Sequence, residues 1–128
     1  MSEDSSLMIV LTTGKQDRGT RATLAFSWGC AALSLGKKVS LYLTMDGTVW
    51  AMHGAMKGVE VNGFEPLKNY KDQFVEFGGE ILVCAPCSEY YCSSDQKQLS
   101  ESLIAEAKLV GLTTIAAKAD TKTQIITF

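Results

Sequence analysis

Three of the four cysteines crowd into one stretch, Val83-Cys84-Ala85-Pro86-Cys87-Ser88-Glu89-Tyr90-Tyr91-Cys92. The thiolate is the nucleophile and the metal ligand, so such a cluster points to redox chemistry, sulfur chemistry or metal binding. Cys84 and Cys87 form a C-x-x-C pair. In the redox reading, one thiolate is activated by the start of a following helix and by nearby cations. In the plain reading, Cys84 is a buried thiol and the spacing is accidental. Its place at the end of an apolar run, rather than inside an element, favours chemistry. A thioredoxin-like assignment is weaker, because that motif belongs near the first helix and this one lies two-thirds along the chain. A zinc site would draw on Cys84, Cys87, Cys92 and His53, ligands of acceptable type. A second C-x-x-C is missing, however, and a domain this apolar needs no metal to fold. Neither a metal nor another cofactor is expected.

A second candidate is Gly14-Lys15-Gln16-Asp17-Arg18-Gly19, between an apolar run and a helical pattern. It fails as a phosphate loop, since Thr20-Arg21 stands where Lys-Ser/Thr is required. Its backbone N–H groups at Gly14, together with Lys15 or Arg18, suit an anion such as a thiolate or persulfide. His53, the single histidine, fits proton transfer or an ordinary solvated position equally well. Cys30 lies beside a helical apolar stripe and reads as a small core residue. Trp50, Met52 and Met56 are expected to form an exposed apolar patch suited to subunit contact.

The elements that must position these groups alternate along the chain. Leu7–Leu11 is apolar throughout, as in a strand covered on both faces. A helix follows from Thr20 to Gly36, with Ala22, Ala25, Phe26, Gly29 and Leu33 on one stripe. Val39–Leu43 is a second strand. Between Asp46 and Gly63, a short helix and a mobile loop carrying Trp50 and His53 are expected. Pro66 opens a helix with Leu67, Tyr70, Phe74 and Phe77 on its stripe, stopped by Gly78-Gly79. Ile81–Val83 is a buried strand delivering Cys84 to its end, where Pro86 demands a loop. Asp95 caps a further helix, with Gln98 as capping-box partner and Leu99, Leu103, Ala107 and Val110 buried, up to Gly111. Thr113–Ala119 is ambiguous between strand and helix, and Gln124–Phe128 is a last strand. This order gives an α/β domain, a parallel sheet between helical layers with right-handed crossovers. Gly14, Asp46 and Cys84 each follow a strand, so they should share the sheet's carboxyl edge.

At 128 residues the chain accommodates a single domain, residues 1–128. A formal net charge of −2 leaves no basic excess, so no nucleic-acid partner is expected. No run is long enough to span a membrane. The acidic, polar residues Ser2 to Ser6 argue against a secretory signal, so a cytoplasmic, reducing location is expected.

Taken together, these segments resemble the DsrE/DsrF-like family, which includes the TusD subunit of a bacterial sulfur relay. The resemblance covers nearly the whole chain. It rests on the first strand with Thr13-Gly14, the small-residue helix after Gly19, and Val83-Cys84-Ala85-Pro86-Cys87. It rests further on Ile104–Gly111 and on Ala119-Asp120 followed by Gln124–Phe128. The resemblance implies a three-layer α/β/α sandwich with a mainly parallel four- or five-stranded sheet, and resolves Thr113–Ala119 as helix. It implies a homo- or hetero-oligomer, commonly a trimer or hexamer, with Cys84 as the sulfur-carrying residue and Cys87 as second thiol. Sulfur donor and acceptor proteins are then the expected partners. The chain departs from the family where an Arg-Gly pair is common, at Tyr91 and Cys92, which removes a cation that could favour a thiolate or bind an anionic partner. Two alternatives stay open: a thiol–disulfide switch at Cys84 and Cys87, and a non-catalytic assembly protein.

Overall fold

The computed structural model describes residues 5–91 and 95–128. Five strands, β1 (Ser6–Leu11), β2 (Lys38–Leu43), β3 (Glu80–Cys84), β4 (Ala107–Val110) and β5 (Thr123–Thr127), form one sheet in the order β4-β3-β2-β1-β5. Every pairing is parallel. The helices are α1 (Thr20–Ser34), α2 (Leu67–Glu76), α3 (Ala85–Tyr91), α4 (Gln96–Ser102) and α5 (Leu112–Lys118). This is the α/β sandwich expected from the alternating pattern.

Strand alternation divides the interior in two. Leu7, Ile9, Leu11, Leu41, Leu43, Ile81 and Val83 join Ala22, Ala25 and Phe26 of α1 and Leu67 and Phe74 of α2 in the main core. Gly29 lets the two helices approach, since a Cβ there would lie 2.7 Å from the Phe74 ring. Phe26 and Phe74 then meet edge to face, with centroids 5.8 Å apart. The opposite face carries a smaller cluster, Met8, Tyr42, Leu82 and Cys84, flanked by Val10, Cys87, Val110 and Ile115. Right-handed crossovers explain the split. Steps β1 to β2 and β2 to β3 run one way and put α1 and α2 on one face; the long return from β4 to β5 puts α5 on the other.

Several expectations need correction. The helix foreseen from Asp95 to Val110 is two elements. Asp95 does cap α4, its side chain accepting from the N–H groups of Lys97 and Gln98. The helix stops at Ser102, however; Leu103 bridges antiparallel to Met52, and Ala107–Val110 forms edge strand β4. The apolar spacing satisfied a helix locally, but pairing with the open edge of β3 outweighed propensity. The loop demanded after Cys84 is also absent, because α3 begins at Ala85. Proline in a first helical turn loses only an N–H that has no intrahelical partner there.

Nor is Trp50 exposed. Met45–Ala51 forms a 3-10 helix, and Trp50 is fully buried, its Nε1–H donating to the Thr13 carbonyl at 2.9 Å. Met56 is buried and Met52 half-buried, so the expected patch does not exist. Exposed apolar side chains include Leu24 and Trp28 on α1, Leu35 just past its end, and Ile125 on β5. On α2, Phe77 is exposed past the helix end, whereas Lys71 is buried between Glu106 at 2.8 Å and Asp72 at 2.7 Å.

Candidate functional site

β3 delivers Cys84 to the carboxyl edge of the sheet, and α3 starts on the next residue. One helical turn brings Cys87 back over the strand end, leaving the two sulfurs 3.0 Å apart. Ser88, fully buried, donates its hydroxyl to the Cys84 carbonyl at 2.8 Å and fixes the strand-to-helix junction. Cys84 is 1% exposed and Cys87 is half-buried.

The neighbouring strand completes the site. Leu43 is in register with Val83, which sets Thr44 beside Cys84 and Tyr42 two residues back on the same face. The Thr44 hydroxyl lies 3.3 Å from the Cys87 sulfur. Tyr42 is 5% exposed. Burial opposes ionisation of Cys84, but the Cys87 thiol, the Tyr42 hydroxyl, the Cys87 backbone N–H and the Thr44 hydroxyl together outweigh it. The Cys84 thiol therefore ionises below its ordinary range. The same closeness works against Tyr42, whose phenol is pushed up by burial and then by Cys84.

A family model of the DsrE/DsrF-like family matches residues 5–128. The chain belongs to that family. Two solved structures share the family fold at 13% sequence identity. The ychN protein from E. coli matches with a TM-score of 0.71, over 97% of this chain and 99% of its own. A conserved protein of unknown function, BT1422 from Bacteroides thetaiotaomicron, matches with a TM-score of 0.60, over 100% of this chain and 98% of its own. No curated protein matches at a significant level.

Within this family fold, the remaining residues singled out by sequence fall in three places. Gly14, Lys15 and Arg18 lie on the loop after β1, on the same sheet edge as Cys84. Gly14 is buried, and a Cβ there would stand 2.7 Å from the Asp46 carbonyl oxygen, so glycine lets the loops after β1 and β2 meet. Lys15 and Arg18 are exposed, and neither is among the largest influences on the ionisation of Cys84. The amides at the start of α1 are already engaged: the Asp17 carboxylate accepts from Gly19 N at 3.1 Å and Arg21 N at 2.9 Å. His53 lines a separate cavity of about 570 Å³, with Trp50, Lys71 and Glu106, whose lining includes no cysteine. Cys92 lies outside the described residues. Cys30 is buried in the main core as expected.

Sequence reasoning missed Tyr42 and Thr44. Tyr42 is the one phenol in the run Val39-Ser40-Leu41-Tyr42-Leu43. Linking it to Cys84 requires knowing that β2 and β3 are adjacent and in which register. Among the described residues, no group of three or more histidine, cysteine or acidic side chains is placed to hold a metal ion. No helix among them is long and apolar enough to cross a membrane.

Proposed function

We propose that this protein is a sulfur carrier that holds sulfane sulfur on Cys84 and relays it to a partner protein. The observation behind this reading is the Cys84–Cys87 pair, 3.0 Å apart, in which the buried Cys84 thiol ionises below its ordinary range. Members of the DsrE/DsrF-like family are generally associated with sulfur relay, in which partner proteins donate and accept the atom. A cytoplasmic location and a homo-oligomer, trimeric or hexameric, belong to the same reading.

In the loading step, the Cys84 thiolate attacks the outer sulfur of a donor persulfide, R–S–SH. The donor S–S bond breaks, Cys84–S–SH forms, and R–S⁻ leaves with the electron pair. In the simplest delivery step, an acceptor thiolate attacks the outer sulfur and Cys84 departs as thiolate. Cys87 offers a second exit. Its thiolate attacks Cys84 Sγ, hydrosulfide leaves, and a Cys84–Cys87 disulfide remains for a cellular dithiol to reduce. Gly14, Lys15 and Arg18, on the same edge, would act on an anion approaching from outside. His53 and Cys92 are accessory candidates only.

The test is intact mass after incubating reduced protein with a small persulfide donor, beside Cys84→Ser and Cys87→Ser. A gain of one sulfur atom that vanishes in Cys84→Ser supports the carrier. Normal loading in Cys84→Ser would sink it. The short Cys84–Cys87 separation also favours a second reading, a plain thiol–disulfide switch; loss of two hydrogens, dependent on both cysteines and without added sulfur, would select it.

A further inference from the structure

The Tyr42 hydroxyl is buried and has no hydrogen-bond partner among the described residues. A buried donor left unmade is costly, about 1–3 kcal/mol, and its persistence asks for an explanation. It is not a packing accident at a remote place. Tyr42 sits in the small-face cluster with Cys84, and the two side chains are diagonal neighbours on adjacent parallel strands. The other side chains of that cluster and its flanks, Met8, Leu82, Val10, Val110 and Ile115, supply neither charge nor hydrogen bonds. Among the described side chains of α3, Cys87 is the titratable one packed against the cluster, and Thr44 from the end of β2 has its hydroxyl at Cys87.

We propose that the Tyr42 hydroxyl is a donor kept in reserve for negative charge at Cys84, first on the thiolate and then on the terminal sulfur of the persulfide. The second part rests on the carrier reading given above. The added sulfur atom extends the Cys84 side chain by one bond beside the apolar cluster of Met8, Leu82 and Val110. A persulfide also ionises more readily than a thiol, so the incoming atom arrives as an anion needing a donor. An O–H that makes no hydrogen bond while Cys84 is a neutral thiol is available to an anion formed there, and hydrogen bonds to charged groups are the strong ones. Phenol and thiol stay on opposite sides of the proton: burial and the neighbouring sulfur keep the phenol protonated over the range in which Cys84 ionises. The transfer chemistry is unchanged; Tyr42 moves no proton and forms no bond to sulfur.

Tyr42→Phe separates this role from packing, because it deletes only the hydroxyl. Two readouts should move in opposite directions. The urea midpoint of the reduced variant should equal or exceed that of the wild type, since an unpaired buried group has been removed. The pH midpoint of the Cys84 ¹³Cβ resonance should rise, and the fraction of protein retaining persulfide after loading should fall about tenfold, the effect of one charge-assisted hydrogen bond. In the wild type, needing no variant, the Tyr42 ring resonance beside the hydroxyl should shift on loading. An unchanged Cys84 midpoint in Tyr42→Phe would overturn the proposal. So would a wild-type ring resonance that ignores loading. If the wild type takes up no sulfur at all, the carrier reading and the persulfide half of the proposal both fail, while the Cys84 midpoint still decides the thiolate half.

Discussion

Cys30 and Cys84 are both buried, 8% and 1% exposed, on opposite faces of the same sheet. Burial acts on them alike and their surroundings do not. Cys30, on α1, is pushed up to about 11 by burial and by the charge of Glu65, and its thiol donates to the Tyr70 carbonyl at 3.3 Å, a bond that needs the proton. The Cys87 thiol and N–H and the Tyr42 and Thr44 hydroxyls favour the anion of Cys84, and it is drawn below the ordinary thiol range despite its burial. The difference teaches that the hydrogen-bond polarity of the neighbours, rather than depth, separates an inert core thiol from a nucleophile. The face packed by α1 and α2 holds the first; the opposite face, flanked by Cys87 at the strand end and by Ile115 of α5, holds the second.

The largest way to break this comparison is to exchange the sulfur itself. Cys84→Ser should abolish sulfur loading, whereas Cys30→Ala should load as well as the wild type, read by intact mass. If Cys30→Ala lost loading while still folded, the contrast would collapse. Cys87→Ser comes next. It should still load, but the persulfide should persist and no hydrosulfide should appear when acceptor is withheld, because the internal exit is gone; sulfide release measured over time checks this.

A smaller effect lies in stability. The Cys84 pKa is lower folded than unfolded, so between those two values only the unfolded chain holds the proton and stability rises with pH. That contribution is complete above the unfolded value and is lost as pH falls through the folded one. Cys30 has the opposite sign. Its contribution is complete below the unfolded value of about 9 and is lost as pH climbs towards about 11. Urea midpoints should therefore fall from pH 9 to 10 by at most about 1.4 kcal/mol in free energy, and Cys30→Ala should flatten that fall. Above pH 10 the raised phenol of Tyr42 adds a fall of its own, so the comparison belongs below it. A fall of equal size in Cys30→Ala would contradict the assignment.

The smallest effect expected is at the loop after β1. Lys15→Ala and Arg18→Asn should leave the Cys84 titration close to where it is, because both cations are exposed and neither is among the largest influences on that sulfur. Asparagine is the suitable replacement at Arg18, whose φ of 62° lies in the left-handed region. A clear upward move of the Cys84 midpoint in either variant would return these cations to the thiolate.

The strands, α1 and α2 were legible because their apolar periodicity coincides with what they bury, as at Ile9, Leu41, Phe26 and Phe74. Cys84 was legible because it ends such a strand. The segment from Leu99 to Val110 was misread because its spacing fits a helix, and only the vacant edge of β3 makes Ala107–Val110 a strand. Trp50 was misread because nothing local announces a hydrogen bond to Thr13, which comes from another strand's end. Tyr42 was invisible for the same reason: its link to Cys84 is a property of register between strands, and a single sequence does not print it.

The most direct test is to locate the added sulfur. Reduced protein would be loaded from a small persulfide donor, the persulfides capped, and the peptides sequenced by mass spectrometry. Extra sulfur on Cys84, with none on Cys30, is the predicted result. Extra sulfur confined to other cysteines, with Cys84 unmodified, would contradict the account.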